Sequence, residues 1–423
     1  MRVGFDFRAM QIGHQFRGIG QVVREGCRHL AASLPDEDRF VLFTDPAGPA
    51  VEGVLDQVGA SDRVAATVDL ATPRWGRAQR LKGGLSAGQS RTIAEACDVF
   101  VQFDSALGVP PEPATVVVVY DQIPVLLGDR YPLAYRPTYR AARQAGLGLR
   151  LSAQRALGRE AYERGVVDAL RKAGRVLAIS EHTARTTAEL ARSRGVTGVG
   201  DKIEVAHLGH DPEALRAGDL DVLEQARMEG EGLDRHPFLF FMGGVDERRR
   251  IDLLITAFND LRARGRDLKL VFAGYDFQGL HTIFTESARR AIEESSYAED
   301  IHLLGFVSPT ERAWLYRRAE AFVFPTEHEG FGLPVVEAVA TGCTVVTFDT
   351  TSISELGGPN RYLCEGTWPA LAEAIATVLD RPEDQKRADA EAGARWAEGF
   401  TWDAFGAALA RGVTDLGGGG RRR

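Results

Sequence analysis

Short apolar runs that stop at Gly, Pro, Asp or Ser alternate along the chain with longer stretches of helical period, a pattern that predicts strand–helix units and parallel sheets. In the first half, strands are predicted at residues 3–7, 40–44, 99–103, 116–120, 176–179 and 203–208. Residues 116–119 are four valines, apolar on both faces, as suits a central strand covered by helices on each side. After Gly209-His210-Asp211-Pro212 the chain turns polar over 213–237, where an interdomain linker and the opening of a second domain are expected. The pattern then restarts, with strands predicted at 238–242, 268–273, 301–306, 321–324 and 344–348 and helices at 251–264, 310–318 and 335–340. The fold class expected is α/β, with two Rossmann-like parallel-sheet domains.

A length of 423 residues exceeds what one hydrophobic core serves, which agrees with two domains of about 200 residues each. The first is expected over 1–212 and the second over 213–399. With 44% hydrophobic and 26% charged residues the composition is that of a folded globular chain. A net charge of −8 argues against general affinity for nucleic acid or an anionic membrane, so any phosphate site must be local. Cys27, Cys97, Cys343 and Cys364 lie far apart without metal-ligand spacing, and read as reduced, buried thiols. Met1 leads directly into a strand-like run rather than a secretory leader, and no apolar run approaches the ~20 residues of a membrane span. A cytoplasmic protein is expected. The Gly- and Arg-rich stretch 417–423 reads as a disordered tail, whose three arginines offer at most weak peripheral contact with a membrane.

Ligands of open α/β sheets bind beyond the carboxyl ends of the strands, so the residues after each strand carry the candidate chemistry. After 321–324 come Glu329-Gly330-Phe331-Gly332-Leu333-Pro334-Val335-Val336-Glu337. Pro334 fits the first position of a helix, where its missing N–H costs nothing. Free N–H groups and the helix dipole would favour a diphosphate there, and the glycines admit a ligand close to the backbone. Glu329 could point at a sugar, and Glu337 could accept paired hydrogen bonds from ribose hydroxyls. The alternative is that Glu337 complements the helix dipole and Glu329 is a solvated loop charge.

After 238–242 come Gly243-Gly244-Val245-Asp246-Glu247-Arg248-Arg249-Arg250. Three arginines between a glycine turn and a helix could clamp a diphosphate through bidentate bonds, although at least one is expected to be ordinary surface charge. In the first half, Arg17-Gly18-Ile19-Gly20 reads as a loop that admits a ligand backbone-first. Tyr120 and Asp121 end the most buried strand. Asp121 either orients an acceptor hydroxyl or caps the following turn, and Ser180 reads more readily as a helix cap. The acidic triplets at 36–38 and 219–221 read as surface charge, with no metal site implied. Phosphate-loop, dinucleotide-fingerprint and nucleophile-elbow motifs are absent, which removes the main supports for kinase, dehydrogenase and serine hydrolase readings.

With these residues in view, the chain resembles the retaining glycosyltransferases of glycosyltransferase family 4. The two glutamates around Gly-Phe-Gly-Leu-Pro, at Glu329 and Glu337, carry the resemblance. It extends to Gly243–Arg249, Phe272-Ala273-Gly274, Leu304-Gly305-Phe306-Val307-Ser308, Gly18-Ile19-Gly20 and Ser352-Ile353-Ser354-Glu355. The resemblance implies a GT-B fold, a donor held mainly by the second domain, an acceptor by the first, and no obligatory metal or cofactor. It further implies a helix over 400–416 that returns to the first domain. By the same resemblance, Glu329 contacts the donor sugar, Glu337 holds the ribose, and Arg249 stands for the usual phosphate-binding lysine. Gly18, Gly20, Gly243, Gly244, Gly274, Gly330, Phe331, Gly332 and Leu333 line the donor, and backbone groups of Phe306, Val307 and Ser308 hold the base. Many relatives carry an arginine where Gly244 stands, so Arg248 is expected to supply the second cation. A histidine common at the Tyr120 position is absent, and Tyr120 and Asp121 are the acceptor-side candidates.

The expected function is transfer of a hexosyl unit from a nucleotide diphosphate sugar, best GDP-mannose, to a hydroxyl of a glycan, lipid-linked or small-molecule acceptor. Three rivals remain. A glycoside hydrolase using Glu329 and Glu337 would leave the arginines unexplained. A sugar-nucleotide epimerase would convert donor without acceptor, and a non-catalytic nucleotide-sugar-binding protein would bind donor without turning it over.

Overall fold

The computed structural model describes residues 1–11, 18–49, 61–71, 85–127, 148–216, 219–280, 283 and 285–419, with backbone alone for 148–158 and 419. The chain divides into two compact units, one of Met1–Gly209 with Trp402–Arg423 and the other of His210–Thr401. Each contains, among the described residues, one fully parallel sheet.

The first sheet has the order β3-β2-β1-β4-β5-β6-β7. Its strands are β1 (Arg2–Asp6), β2 (Arg39–Thr44), β3 (Val64–Asp69), β4 (Val99–Gln102), β5 (Thr115–Val119), β6 (Arg175–Ala178) and β7 (Ile203–Val205). Every residue of β5 is buried, as four valines between two helical layers require. The second sheet has the order β10-β9-β8-β11-β12-β13. It comprises β8 (Phe238–Met242), β9 (Lys269–Ala273), β10 (Ile301–Gly305), β11 (Ala321–Phe324), β12 (Val345–Phe348) and β13 (Arg361–Cys364). Its core is aromatic: Phe241 lies 5.6 Å from Phe272 and 5.8 Å from Phe324, and Phe322 stacks 5.7 Å from Phe324.

Eight helices frame the candidate residues: α1 (Gly18–Ser33), α2 (Glu181–Ser193), α3 (Val222–Gly230), α4 (Ile251–Ala263), α5 (Pro309–Arg318), α6 (Leu333–Ala340), α7 (Thr351–Leu356) and α8 (Trp402–Gly419). The last returns to the first unit and packs on α1. Small residues allow the close approach: a Cβ on Gly26 would stand 3.1 Å from the Phe405 ring, and one on Gly406 would run into the backbone of His29.

Several expectations change. Strands β3 and β13 were not predicted, because both are sheet edges with mostly exposed or half-exposed residues and therefore lack an apolar run. Gly18 and Gly20 form the first turn of α1 instead of a loop, while Arg17 lies outside the described residues. The polar stretch expected as linker contains α3, started by a capping box between Asp221 and Glu224, so polarity there reflects an exposed helix. α8 runs on through Gly417 to Gly419, and 420–423 lie outside the described residues. Asp38 is buried and pairs with the Met1 amino group at 2.8 Å, where surface charge was expected. The cysteines are free thiols; Cys27, Cys97 and Cys343 are buried, and Cys364 is half-buried.

Candidate functional site

The second unit concentrates its charge where β8 and β11 end. After β8, Gly243 and Gly244 turn the chain, and Asp246 caps a short turn over Glu247–Arg249 by accepting from the Arg248 N–H at 3.2 Å. Arg250 then takes a left-handed conformation (φ 38°) and opens α4. Its guanidinium turns to Asp252 at 2.9 Å and Glu327 at 2.7 Å. Arg250 is thus the arginine of the three with a structural role.

Arg248 and Arg249 face the other way and meet Glu329. Arg248 Nη1 lies 2.5 Å and Arg249 Nε 3.2 Å from the same Glu329 Oε1. Arg248 also donates to the His328 carbonyl, and Arg249 Nη1 to the Gly244 carbonyl at 3.0 Å. The Arg249 guanidinium rests 5.5 Å from the centre of the Phe324 ring, so the aromatic core forms its floor. Glu329 is buried. Burial alone would raise its carboxyl, but Arg248 and Arg249 outweigh that and hold it below the ordinary 4.5. Glu329, expected to point at a sugar or else to be a solvated loop charge, is buried and anchors two cations.

The loop that carries Glu329 is pinned from α7. Glu329 donates its N–H to Thr351 Oγ1 at 3.1 Å, and Ser352 Oγ donates to the carbonyls of Glu329 at 2.9 Å and Phe331 at 3.0 Å. Thr351 holds a positive φ of 48° to do this, a strained conformation for a β-branched residue. Gly330, Phe331 and Gly332 are buried, as is Leu333. Gly332 starts α6 at φ 107°, with Pro334 in the first turn.

Glu337 lies one turn into α6 and is 3% exposed. Its two oxygens accept from Arg312 Nη1 at 3.3 Å and the Tyr316 hydroxyl at 3.4 Å, both on α5. Beside the glycine turn, Gly274 follows β9 at φ 136° and donates its N–H to Gly305. Asp276 Oδ2 accepts from the Val245 N–H at 2.9 Å, tying this turn to Gly243 and Gly244. Phe306 is 71% exposed and Val307 is buried, while Ser308 caps α5. Arg227 on α3 donates to the carbonyls of Leu304 and Phe306, and Ser308 Oγ lies 2.5 Å from Glu224.

The structure therefore brings Gly243, Gly244, Gly274, Arg248, Arg249, Glu329 and the start of α6 into one interlocked assembly. Gly18, Gly20, Tyr120 and Asp121 belong to the first unit. There Asp121 Oδ1 accepts from the Ile123 N–H at 2.9 Å, the turn-capping alternative, and Ser180 caps α2. Asp276, Arg312, Tyr316 and Thr351 were not among the sequence candidates. Arg312 and Tyr316, four apart on one helix, give only a periodic hint; Asp276 and Thr351 lie beside segments that were singled out, but no local pattern marks the residues themselves. Among the described residues, no group of three or more His, Cys, Asp or Glu could hold a metal ion, and no helix is long and apolar enough to cross a membrane.

The Glu329 pairing has a consequence in acid. Because its folded value lies below 4.5, its contribution is complete above 4.5 and is lost as pH falls through the depressed value. Glu329→Gln is expected to melt below wild type at pH 7, with the gap narrowing as pH drops below 4.5. Parallel acid limbs for the two proteins would contradict this.

Residues 225–395 match the family described as glycosyl transferases group 1. A GDP-mannose-dependent alpha-(1-6)-phosphatidylinositol dimannoside mannosyltransferase of Mycobacterium tuberculosis (strain ATCC 25177 / H37Ra) is 30% identical over 174 residues, 40% of this chain and 42% of the relative. O-antigen chain mannosyltransferase B of Escherichia coli is 28% identical over 44% of this chain and 46% of the relative. The chain spans about half the length of the curated relatives it matches. Among solved structures, Anabaena Alr3699/HepE in complex with UDP and glucose aligns over 98% of this chain and 100% of that one with TM-score 0.67 at 15% identity. WaaG, a glycosyltransferase involved in lipopolysaccharide biosynthesis, aligns over 97% and 99% with TM-score 0.62 at 14% identity. These likenesses bear out the expected GT-B arrangement of two parallel α/β sheets.

Proposed function

We propose that this chain, whose residues 225–395 match the glycosyl transferases group 1 family, transfers a hexosyl unit from a nucleotide diphosphate sugar to a hydroxyl acceptor, with retention at the anomeric carbon. The observation that carries this reading is the pair Arg248 and Arg249 gathered on Glu329 beside the Gly243-Gly244 turn. In the reaction, the bond from the anomeric carbon to the diphosphate oxygen breaks, and its electron pair leaves with the diphosphate. The two guanidinium groups meet that growing charge, so no general acid is needed. The acceptor oxygen bonds to the same face of the carbon, and its proton leaves to the departing phosphate or to water. The cations are side chains, so transfer is expected to continue in EDTA.

Glu337 takes the ribose in this reading. A carboxylate has about four acceptor positions, and its contacts to Arg312 and Tyr316 are long, which leaves capacity for two hydroxyls. GDP-mannose is the donor proposed, since a GDP-mannose-dependent mannosyltransferase and an O-antigen mannosyltransferase are among the relatives that this chain resembles. The acceptor is a glycan, lipid-linked or small-molecule hydroxyl compound, met in the cytoplasm.

Melting curves against nucleotide sugars test the donor. At a hundred times its Kd, GDP-mannose should stabilise the protein by about 2.7 kcal/mol. Glu337→Gln should weaken donor binding about tenfold by removing a charged acceptor. Stabilisation by UDP-glucose and not GDP-mannose would overturn the donor choice; unchanged affinity in the variant would overturn the role of Glu337.

A further inference from the structure

The first sheet reverses its winding between β1 and β4: the chain passes from β1 outward to β2 and β3, then returns to add β4 through β7 on the other side. The carboxyl ends of the strands at such a reversal are where open α/β sheets receive ligands. In this protein, neighbouring strands β1, β4 and β5 are followed there by Arg8, Asp104 and Tyr120.

Arg8 is fully buried, and its Nε and Nη2 are spent on Asp6 at 2.8 and 2.5 Å. Its Nη1 has no partner among the described residues. A second buried atom, the Tyr120 hydroxyl after β5, also lacks one. Orphaned buried polar groups are costly and rare, and two such groups that share Asp104 as a neighbour mark a place built for a polar occupant. Asp104 acts electrostatically on both Arg8 and the Tyr120 hydroxyl. Asp104 and Tyr120 keep part of their surface exposed, which gives a ligand its approach.

The charge balance selects the occupant's chemistry. One guanidinium faces Asp6, Asp104 and Asp45, so a phosphate or carboxylate would meet net negative charge. Hydroxyl groups, which both donate and accept, suit a guanidinium N–H, a phenol and a carboxylate together.

We propose that Arg8, Asp104 and Tyr120 form a subsite for an uncharged, polyhydroxylated ring, the sugar or polyol end of the acceptor. The acceptor role rests on the proposed transferase activity; the binding does not. The full-length protein, without donor, is probed by saturation-transfer NMR with methyl α-mannoside, methyl α-glucoside and myo-inositol, and with mannose 1-phosphate as the charged comparison. At least one neutral ring should bind, more tightly than the phosphate, and Tyr120→Phe and Asp104→Asn should each raise its Kd about tenfold or more. Binding by none of the neutral rings, preference for the phosphate, or unchanged affinity in both variants overturns the subsite. A Tyr120→Phe protein that melts higher and binds the ring as well as wild type would mean that the hydroxyl holds only an internal water, and it too would overturn the subsite. GDP-mannose turnover is measured separately, so failure of transfer and failure of the subsite are read from different experiments.

Discussion

Arg249→Met is expected to lower kcat/KM for hexosyl transfer by about a thousandfold, the scale of losing one preorganised charge-stabilising donor. The methionine keeps an apolar stem over Phe324, where the guanidinium now lies 5.5 Å from the ring centre, so the fold should tolerate it. What disappears is the cation and the fork that spans Glu329 Oε1 at 3.2 Å and the Gly244 carbonyl at 3.0 Å. Arg249→Lys should lose only about tenfold, because the charge remains and the planar two-pronged geometry goes. Steady-state rates with GDP-mannose, alongside melting temperatures, decide it. A methionine variant that melts and turns over like wild type would remove Arg249 from the mechanism.

Gly274→Ala should destabilise the second unit by about 3 kcal/mol or more, through backbone strain and collision together. At φ 136° and ψ 160° the residue occupies territory that side chains do not tolerate, and a Cβ there would run into the Gly243 carbonyl oxygen. The same substitution would disturb the Gly274 N–H bond to Gly305 at 2.8 Å, and with it the alignment of the glycine turn beneath Arg249. For a domain of this size the loss corresponds to a melting temperature lower by about 6–12 °C. Gly265→Ala is the control: φ is also positive at 87°, but nothing lies within 4 Å of the added carbon. Calorimetry should find the second variant down by only about 1 kcal/mol. Equal losses would show that strain alone matters and collision does not.

Much of the fold was legible because buried parallel strands advertise themselves. The valines of β5, the Phe-Leu-Phe-Phe-Met of β8 and the Ala-Phe-Val-Phe of β11 are continuous apolar runs, and each is buried almost throughout. Edge strands carry no such mark, and β3 and β13, exposed or half-exposed along their length, show no apolar run. The candidate site was legible to the level of segments. Glycine turns and acids just after strands pointed to 243–250 and 329–337, but not to how the charges pair. Arg248, Arg249 and Arg250 are chemically identical neighbours; only the fold sends two to Glu329 and the third to Asp252 and Glu327. Glu337 gave no sign of Arg312 and Tyr316, and Asp38 none of its burial against the amino terminus.

The period of each element, the two-sheet organisation and the strand ends where chemistry gathers are written into the local order of residues, since these depend on neighbours a few residues apart. Tertiary structure decided the rest: which carboxylate meets which cation, that Thr351 and Ser352 pin the Glu329 loop, and that Arg8 is buried at the sheet reversal. The contacts of Glu329 join segments twenty-two to eighty residues apart. Their separation in space is fixed by packed sheets and helices, and no local pattern of residues encodes it.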